Sequence, residues 1–547
     1  MKIAVCRVGA MLAAWAMLAA GVARARDAGQ VARIPLGPMG YQTMVPEFLL
    51  AGSSMLTVDF VDANHLLITF GVRQLMERLA DDPPDDDDRT VGAALVELPS
   101  GKLLARTQWR LHDRGQYLWS LGHGRFLLRV RDRLAVLAPM QAVGAGDAFR
   151  EVPLLHIDRH IVAVQVSPDA DLLTVETTKR ASGEPGVASD VTLVDPALHD
   201  PAQPDSAPVQ LNFYRLMSTG AGAEGLLAVS AGAIRARTAV ELPMTTGGFL
   251  NVMEGGKDRW LFNFDAHSGK VSELAEFDTT CFPHPTFVSH GEFVAFGCRG
   301  SAEKQDLAGF NLKGEEMWQQ SFSDTHIAPT FAFAPAAGRF ALGRIVVTGA
   351  GDPEGPLTES VVSAQEVRVM QSYNGKLLFR IDCTPVERAG ENFALSADGL
   401  RLAVVRETLV HHAATKDYDE YTEREAAVEV YALPPLTEKD VAAVKAAEAL
   451  APKDAGARID LSLERASTPV AGDARDAASG VSAAGEDSSS RAPAAASEGA
   501  AVGESGAPAA AGAATAAAVE GDAEPGTARK RPTLYGPDET PAGSSSR

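Results

Sequence analysis

The stretch FALSADGLRLAVV (393–405) is a short apolar run, a Ser-Ala-Asp-Gly turn and a longer apolar run. Asp398-Gly399 suits a reversal between two extended segments, because glycine reaches positive φ without a Cβ clash. Four other stretches share this form: DFVDANHLLITF (59–70), VQVSPDADLLTV (164–175), FVSHGEFVAFG (287–297) and FAPAAGRFALG (333–343). A second phrase accompanies the first, a strand, a Gly-Lys or Gly-Glu turn and another strand. It reads ALVELPSGKLLART (94–107), LFNFDAHSGKVSEL (261–274), AGFNLKGEEMWQQSF (308–322) and VRVMQSYNGKLLFRI (367–381), with Gly101, Gly269, Gly314 and Gly375 at the reversals. Joined, the phrases make a unit of four strands, A-turn-B then C-turn-D, repeated every few tens of residues.

Repeated four-stranded units are propeller blades, and the sequence predicts an all-β ring of about seven. The Ser-Pro-Asp-Ala and Ser-Ala-Asp-Gly turns before an apolar strand, with Gly-Lys turns after it, resemble those of WD-repeat and YVTN-like β-propellers. The resemblance covers roughly residues 30–434 and implies the fold alone, since such rings host many activities. The paired Gly-His and Trp-Asp dipeptides of true WD repeats do not recur. Segments near 117–157 and 213–276, read as the second and fourth blades, are irregular, so six to eight blades fit. The last blade has A near 391–395, B near 400–406 and C near 427–433, then Pro434-Pro435 stops it. Val31 to Leu36 is predicted to supply the missing D strand, closing the ring and hiding two strand edges.

Composition divides the chain into four. Lys2 and Arg7, an uncharged apolar run from Val8 to Val22 and Ala23-Arg24-Ala25 read as a signal peptide (1–25) cleaved near Ala25. The apolar run is shorter than the roughly 20 residues a membrane span needs, so the expected location is periplasmic or secreted. The ring occupies 26–436, a short helix capped by Thr437 occupies 437–452, and 453–547 is a disordered Ala/Gly/Ser/Pro-rich tail with too little apolar surface to offset chain entropy. A net charge of −21 excludes nucleic acid and anionic membrane as partners. A protein or glycan of the cell envelope is the expected partner, with no transmembrane segment after cleavage.

Within a blade, D–A and B–C connections emerge on one face and A–B and C–D turns on the other. The tight glycine turns all belong to the second face. The long insertions 74–90, 179–189, 348–364 and 408–426 all read as B–C links on the first, where function concentrates on a rigid scaffold. Candidate binding loops carry Asp85, Asp86, Asp87 and Asp88, and His411, His412, Tyr418 and Tyr421. The acidic run lacks the glycine-spaced pattern that fixes a hard cation, and adjacent histidines point opposite ways in extended chain, so no metal is assigned. Cys281 precedes an A strand and Cys298 ends the B strand paired with it, which brings the two together as a disulfide; two buried thiols are the alternative. Cys383 is either unpaired or a competitor for Cys281. In the tail, Arg529, Lys530, Arg531 and Tyr535 form a candidate tethered motif.

No G-x-S-x-G elbow, H-E-x-x-H, Walker loop or Rossmann fingerprint is present. Asn311 to Trp318 is similar to the tryptophan-docking turn of quinoprotein propellers, but the phrase occurs once, which makes Trp318 a core residue and leaves no cofactor assigned. The sequence therefore points to an exported binding scaffold. The alternative is a propeller hydrolase or lyase acting on glycans through carboxylates on the loop-rich face or in the central channel.

Overall fold

The computed structural model describes residues 29–43, 55–72, 89–111, 116–143, 147–157, 159–178, 209–220, 222–236, 242–245, 247–267, 270–299, 304–323, 329–347, 362–384, 392–414, 420–452 and 459. Seven antiparallel four-stranded sheets are the blades of a propeller. Blade 1 is Thr57–Asp62, His65–Val72, Arg89–Glu97 and Lys102–Leu111; blade 2 is Leu118–Ser120, Phe126–Val130, Arg133–Leu137 and Val152–His156. Blade 3 is His160–Val166, Leu172–Thr178, Val209–Ser218 and Leu226–Ala236; blade 4 is Met244–Thr245, Gly248–Gly256, Arg259–Ala266 and Val271–Asp278. Blade 5 is His284–Phe287, Glu292–Cys298, Lys304–Asn311 and Glu316–Ser323; blade 6 is Thr330–Ala334, Arg339–Val347, Val362–Gln371 and Leu377–Cys383. Blade 7 is Phe393–Leu395, Arg401–His412 and Tyr421–Ala432, with Gln30–Pro35 as its D strand.

That N-terminal strand runs antiparallel to strand C of blade 7, with Ile34 opposite Val428 and Ala32 opposite Val430. Ile34 and Leu36 are fully buried beside Leu66 and Ile68 of blade 1, so the closing strand also fills the wedge between the first and last blades. A strands of neighbouring blades touch one another, as in blades 7 and 1, which puts them at the ring centre. The cores are wedges between blades. The one between blades 4 and 5 is aromatic: Phe293 and Phe310 stack 5.2 Å apart, and Phe262 meets both edge-on.

Two turns show why glycine stands at the reversals. Gly375 has φ 64°, and a Cβ there would lie 2.5 Å from the Trp318 ring; Gly314 has φ 85°, and a Cβ would meet the Leu274 carbonyl at 2.0 Å. Trp318 packs parallel to Phe340 of blade 6 and donates Nε1–H to the Ser372 carbonyl at 2.6 Å. It is a wedge between blades 5 and 6.

The irregular segments resolve with a correction. The stretch 213–276 is not one blade: its first part supplies strands C and D of blade 3, and blade 4 begins at Met244. Its A strand has two residues and its B–C link is a tight turn around Asp258 (φ 57°), so neither the apolar phrase nor an insertion marks it. The stretch 408–426 is also not a loop. Strands B and C of blade 7 continue as a paired ladder to His412 opposite Tyr421, because Thr408, Val410, Thr422 and other extended-chain formers carry the pairing outward. The other three insertions are B–C links, whose residues 73–88, 179–208 and 348–361 lie outside the described set.

The helix Glu438–Leu450 opens with a reciprocal cap: Thr437 Oγ1 accepts the Asp440 N–H, and Asp440 accepts the Thr437 N–H at 2.8 Å. It docks through few side chains. Asp440 is buried and accepts from Gln371 Nε2 at 2.6 Å and Tyr373 Oη at 3.0 Å, while Val441 stays exposed. No helix among the described residues is long and apolar enough to cross a membrane.

Candidate functional site

The two faces of the ring differ. On the face of the A–B and C–D turns, the C-terminal helix crosses the inner edges of blades 6, 5 and 4. Val444 lies over Gly338, Ala447 over Gly291, and Pro452 over Gly247, each glycine in an A–B turn. Farther along, Ile459, which falls in the low-complexity composition, is buried among Phe213, Ile234 and Phe249 between blades 3 and 4. Its N–H donates to the Ala231 carbonyl at 2.6 Å. Arg339 is held beneath the start of the helix, donating to the Gly399 and Pro435 carbonyls at 2.6 and 3.5 Å. Burial lowers its pKa against the opposing effect of Asp440 and Asp398. His290 of the blade 5 turn pairs with Asp169 of the blade 3 turn. The helix and Pro452 thus cover the inner ends of blades 6, 5 and 4 on this face.

The opposite face, where D–A and B–C connections emerge, carries the side chains available for recognition. Cys281 and Cys298 are joined as a disulfide with Cα atoms 5.4 Å apart. Thr279 ties the same point together: its hydroxyl accepts the Cys298 N–H at 2.6 Å and lies 2.9 Å from the Cys298 carbonyl. Beside the bridge stands an aromatic row. Trp260 meets Phe282 edge-on at 5.1 Å, Phe282 meets His284 at 5.8 Å, and Phe282 is 41% exposed. Cys383 is buried and lies outside the disulfide, its Sγ 3.1 Å from the Val405 carbonyl.

The projecting blade 7 hairpin presents His411, His412 and Tyr421. The His412 ring stacks on Tyr421 at 4.6 Å, while His411 Nε2 lies 2.5 Å from Glu420 and Nδ1 3.2 Å from Thr422 Oγ1. His412 faces Glu423 at 3.6 Å. Each histidine thus has its own acidic neighbour across the ladder, and the two do not converge. Tyr418, Asp85, Asp86, Asp87, Asp88, Arg529, Lys530, Arg531 and Tyr535 lie outside the described residues. Among the described residues, no group of three or more His, Cys, Asp or Glu side chains is arranged to hold a metal ion.

Two features were not singled out by the sequence. Asp59, in strand A of blade 1, has no hydrogen-bond or ionic partner among the described residues, and burial raises its carboxyl to about 7. The second is Glu366 in strand C of blade 6. It is 1% exposed and ringed by Arg344, Arg368 and Arg380 from three adjacent strands. Its sequence signal is a buried Gln-acid pair near the start of strand C, seen as Gln305-Asp306 in blade 5 and Gln365-Glu366 in blade 6. Asp59 leaves no such signal, because its isolation is made by neighbours distant in sequence.

No protein-family model matches the sequence, and no curated protein matches it. Several solved structures align with the chain at low identity. The acylaminoacyl peptidase of Pyrococcus horikoshii is 9% identical with a TM-score of 0.37, over 67% of this chain and 52% of that one. A puromycin-hydrolyzing peptidase of Mycobacterium tuberculosis is 14% identical with a TM-score of 0.33, over 72% and 54%. The hydrazine synthase of Kuenenia stuttgartiensis is 10% identical with a TM-score of 0.26, over 64% and 75%. The chain spans about half the length of the two peptidases. What the chain and its own geometry establish is a seven-bladed β-propeller.

Proposed function

We propose that this chain is an exported binding module of the cell envelope, recognising a protein or glycan on the face of the D–A and B–C connections. One observation carries the reading: the chain's own helix covers the inner ends of blades 6, 5 and 4 on the opposite face, whereas the loop-bearing face keeps its exposed side chains for a ligand. The Cys281–Cys298 bridge supports export, since such bonds persist in oxidising compartments. The exposed aromatic row beside it supports recognition, because rigid aromatic surface binds at low entropic cost. The test is retention of envelope proteins and glycans by the immobilised protein, compared with Phe282→Ala and Tyr421→Ala forms. A species retained by the wild type and lost with either substitution supports the reading. Equal retention by all forms, or none, overturns it. Export is checked separately by the N-terminal residue of the protein recovered from the producing cell's envelope fraction.

A second reading, an enzyme acting on glycans, rests on Asp59. A carboxyl raised to about 7 on an inner strand has the proton affinity of a general acid. Turnover of a glycan by the wild type and its loss in Asp59→Asn, with folding unchanged, would carry that reading.

A further inference from the structure

We propose that the arginine cluster on strands C and D of blade 6, beside Phe322 of blade 5, is a binding site for an oxyanion, with Arg368 and Arg380 as its donors. The inference deepens the binding-module reading by naming a ligand chemistry, an anionic group carried by the recognised molecule. Three guanidinium groups meet one carboxylate here: Arg344 Nε lies 3.5 Å from Glu366 Oε1, Arg368 Nε contacts the same oxygen, and Arg380 contacts Oε2. Asp382 stands opposite Glu366 in the ladder; it is exposed and forms no ion pair among the described residues. Arg368 and Arg380 thus share the one carboxylate, in a chain whose net charge is −21.

Two other buried acids of the ring are held by fewer arginines. Asp306, the corresponding acid of blade 5, is satisfied by one arginine, Arg299, with Gln319 and Ser321. Glu429 of blade 7 takes Arg33, Arg406 and the Tyr431 hydroxyl. In blade 6 three arginines gather on one carboxylate. A guanidinium has five N–H donors, yet Arg368 spends Nε and Arg380 one terminal nitrogen on Glu366. Neither has another hydrogen-bond acceptor among the described residues.

The site is also held in place and open. Arg344 and Arg368 each lie 4.9 Å from the centroid of Phe322, a buried ring of blade 5, which fixes both guanidiniums before any ligand arrives. Arg380 is 59% exposed, so the outer donor is reachable from solvent. Planar guanidinium edges match the oxygens of a carboxylate, sulfate or phosphate group.

The test is titration of the full chain with D-galacturonate and with glycerol phosphate at fixed ionic strength, reading the unfolding midpoint and the heat of binding. The expected result is a saturable response to at least one of them, and its apparent affinity falls on the order of 10-fold in Arg380→Gln and in Arg368→Lys. Response to galacturonate alone assigns an acidic sugar, and response to glycerol phosphate alone assigns a phosphodiester polymer or headgroup. Arg380→Gln leaves Glu366 with Arg344 and Arg368, so its fold is expected to persist, and circular dichroism checks it. Equal curves for wild type and both variants, or no saturable response to either anion, overturn the proposal. Retention in the Phe282 and Tyr421 forms is read in a separate experiment, so failure here and failure of the binding-module reading are distinguishable.

Discussion

His290 Nε2 lies 2.9 Å from Asp169 Oδ2, tying the A–B turn of blade 5 to that of blade 3 across the inner edge of blade 4. Thr245, in the two-residue A strand of blade 4, reaches the His290 carbonyl at 3.5 Å, so the pair bridges the thinnest blade. The Asp169 carboxylate raises the His290 pKa above the ordinary 6.5, with Asp171 and Glu448 of the helix adding and burial opposing.

A histidine whose folded pKa is raised contributes stability that is present below the unfolded value and lost as pH rises through the folded one. His290→Asn is therefore expected to lower the unfolding midpoint most below pH 6.5, with the difference shrinking at alkaline pH. Thermal unfolding of both forms across pH checks this. A pH-independent difference would mean the contribution is packing alone.

Asp59 has the opposite linkage. Its folded carboxyl binds a proton up to about 7, whereas in the unfolded chain it releases it near 3.8, so stability falls as pH rises between those values. Asp59→Asn is expected to raise the midpoint at pH above 7 and to change it little below 4. A midpoint lowered at alkaline pH would show that the charged carboxylate has a stabilising partner.

The disulfide closes a segment of sequence separation 17 on the loop-bearing face. Replacing both Cys281 and Cys298 by serine is expected to cost about 3 kcal/mol, by restoring freedom to the unfolded chain. Denaturant titration of the oxidised, reduced and double-serine proteins measures it. Reduced and double-serine forms should agree with each other and differ from the oxidised one.

Ile34 is fully buried in the strand that closes the ring. Ile34→Ala is expected to cost about 2–5 kcal/mol, the range for deleting a core aliphatic side chain. The surface-facing Val31→Ala, in the same strand and 45% exposed, should be nearly neutral by the same denaturant titration. Equal losses would place Ile34 outside the core.

The fold was legible because its signals are local. Alternating strands and the turns at Gly101, Gly314, Gly375 and Gly399 mark blades whatever surrounds them, and the missing D strand of blade 7 follows from counting. Blade 4 escaped because Met244-Thr245 is too short to alternate. The blade 7 hairpin read as a loop because His411 and His412 are polar, although cross-strand pairing sustains them as strand. The site was less legible. The Cys281–Cys298 juxtaposition follows from one hairpin, but the arginine centre draws Arg344, Glu366, Arg368 and Arg380 from three strands, with Phe322 from another blade. Only the tertiary fold brings those together.

The closing strand also sets an order in time. Gln30–Pro35 precedes every other strand of the ring in the chain, and its partner Tyr421–Ala432 follows every other one. At the usual pace of translation the interval is roughly tens of seconds. Until strand C of blade 7 is made, Gln30–Pro35 has no ladder partner, and the wedge that Ile34 and Leu36 fill has only its blade 1 side. Sealing the ring therefore joins segments far apart in sequence, a contact of high loop-closure entropy.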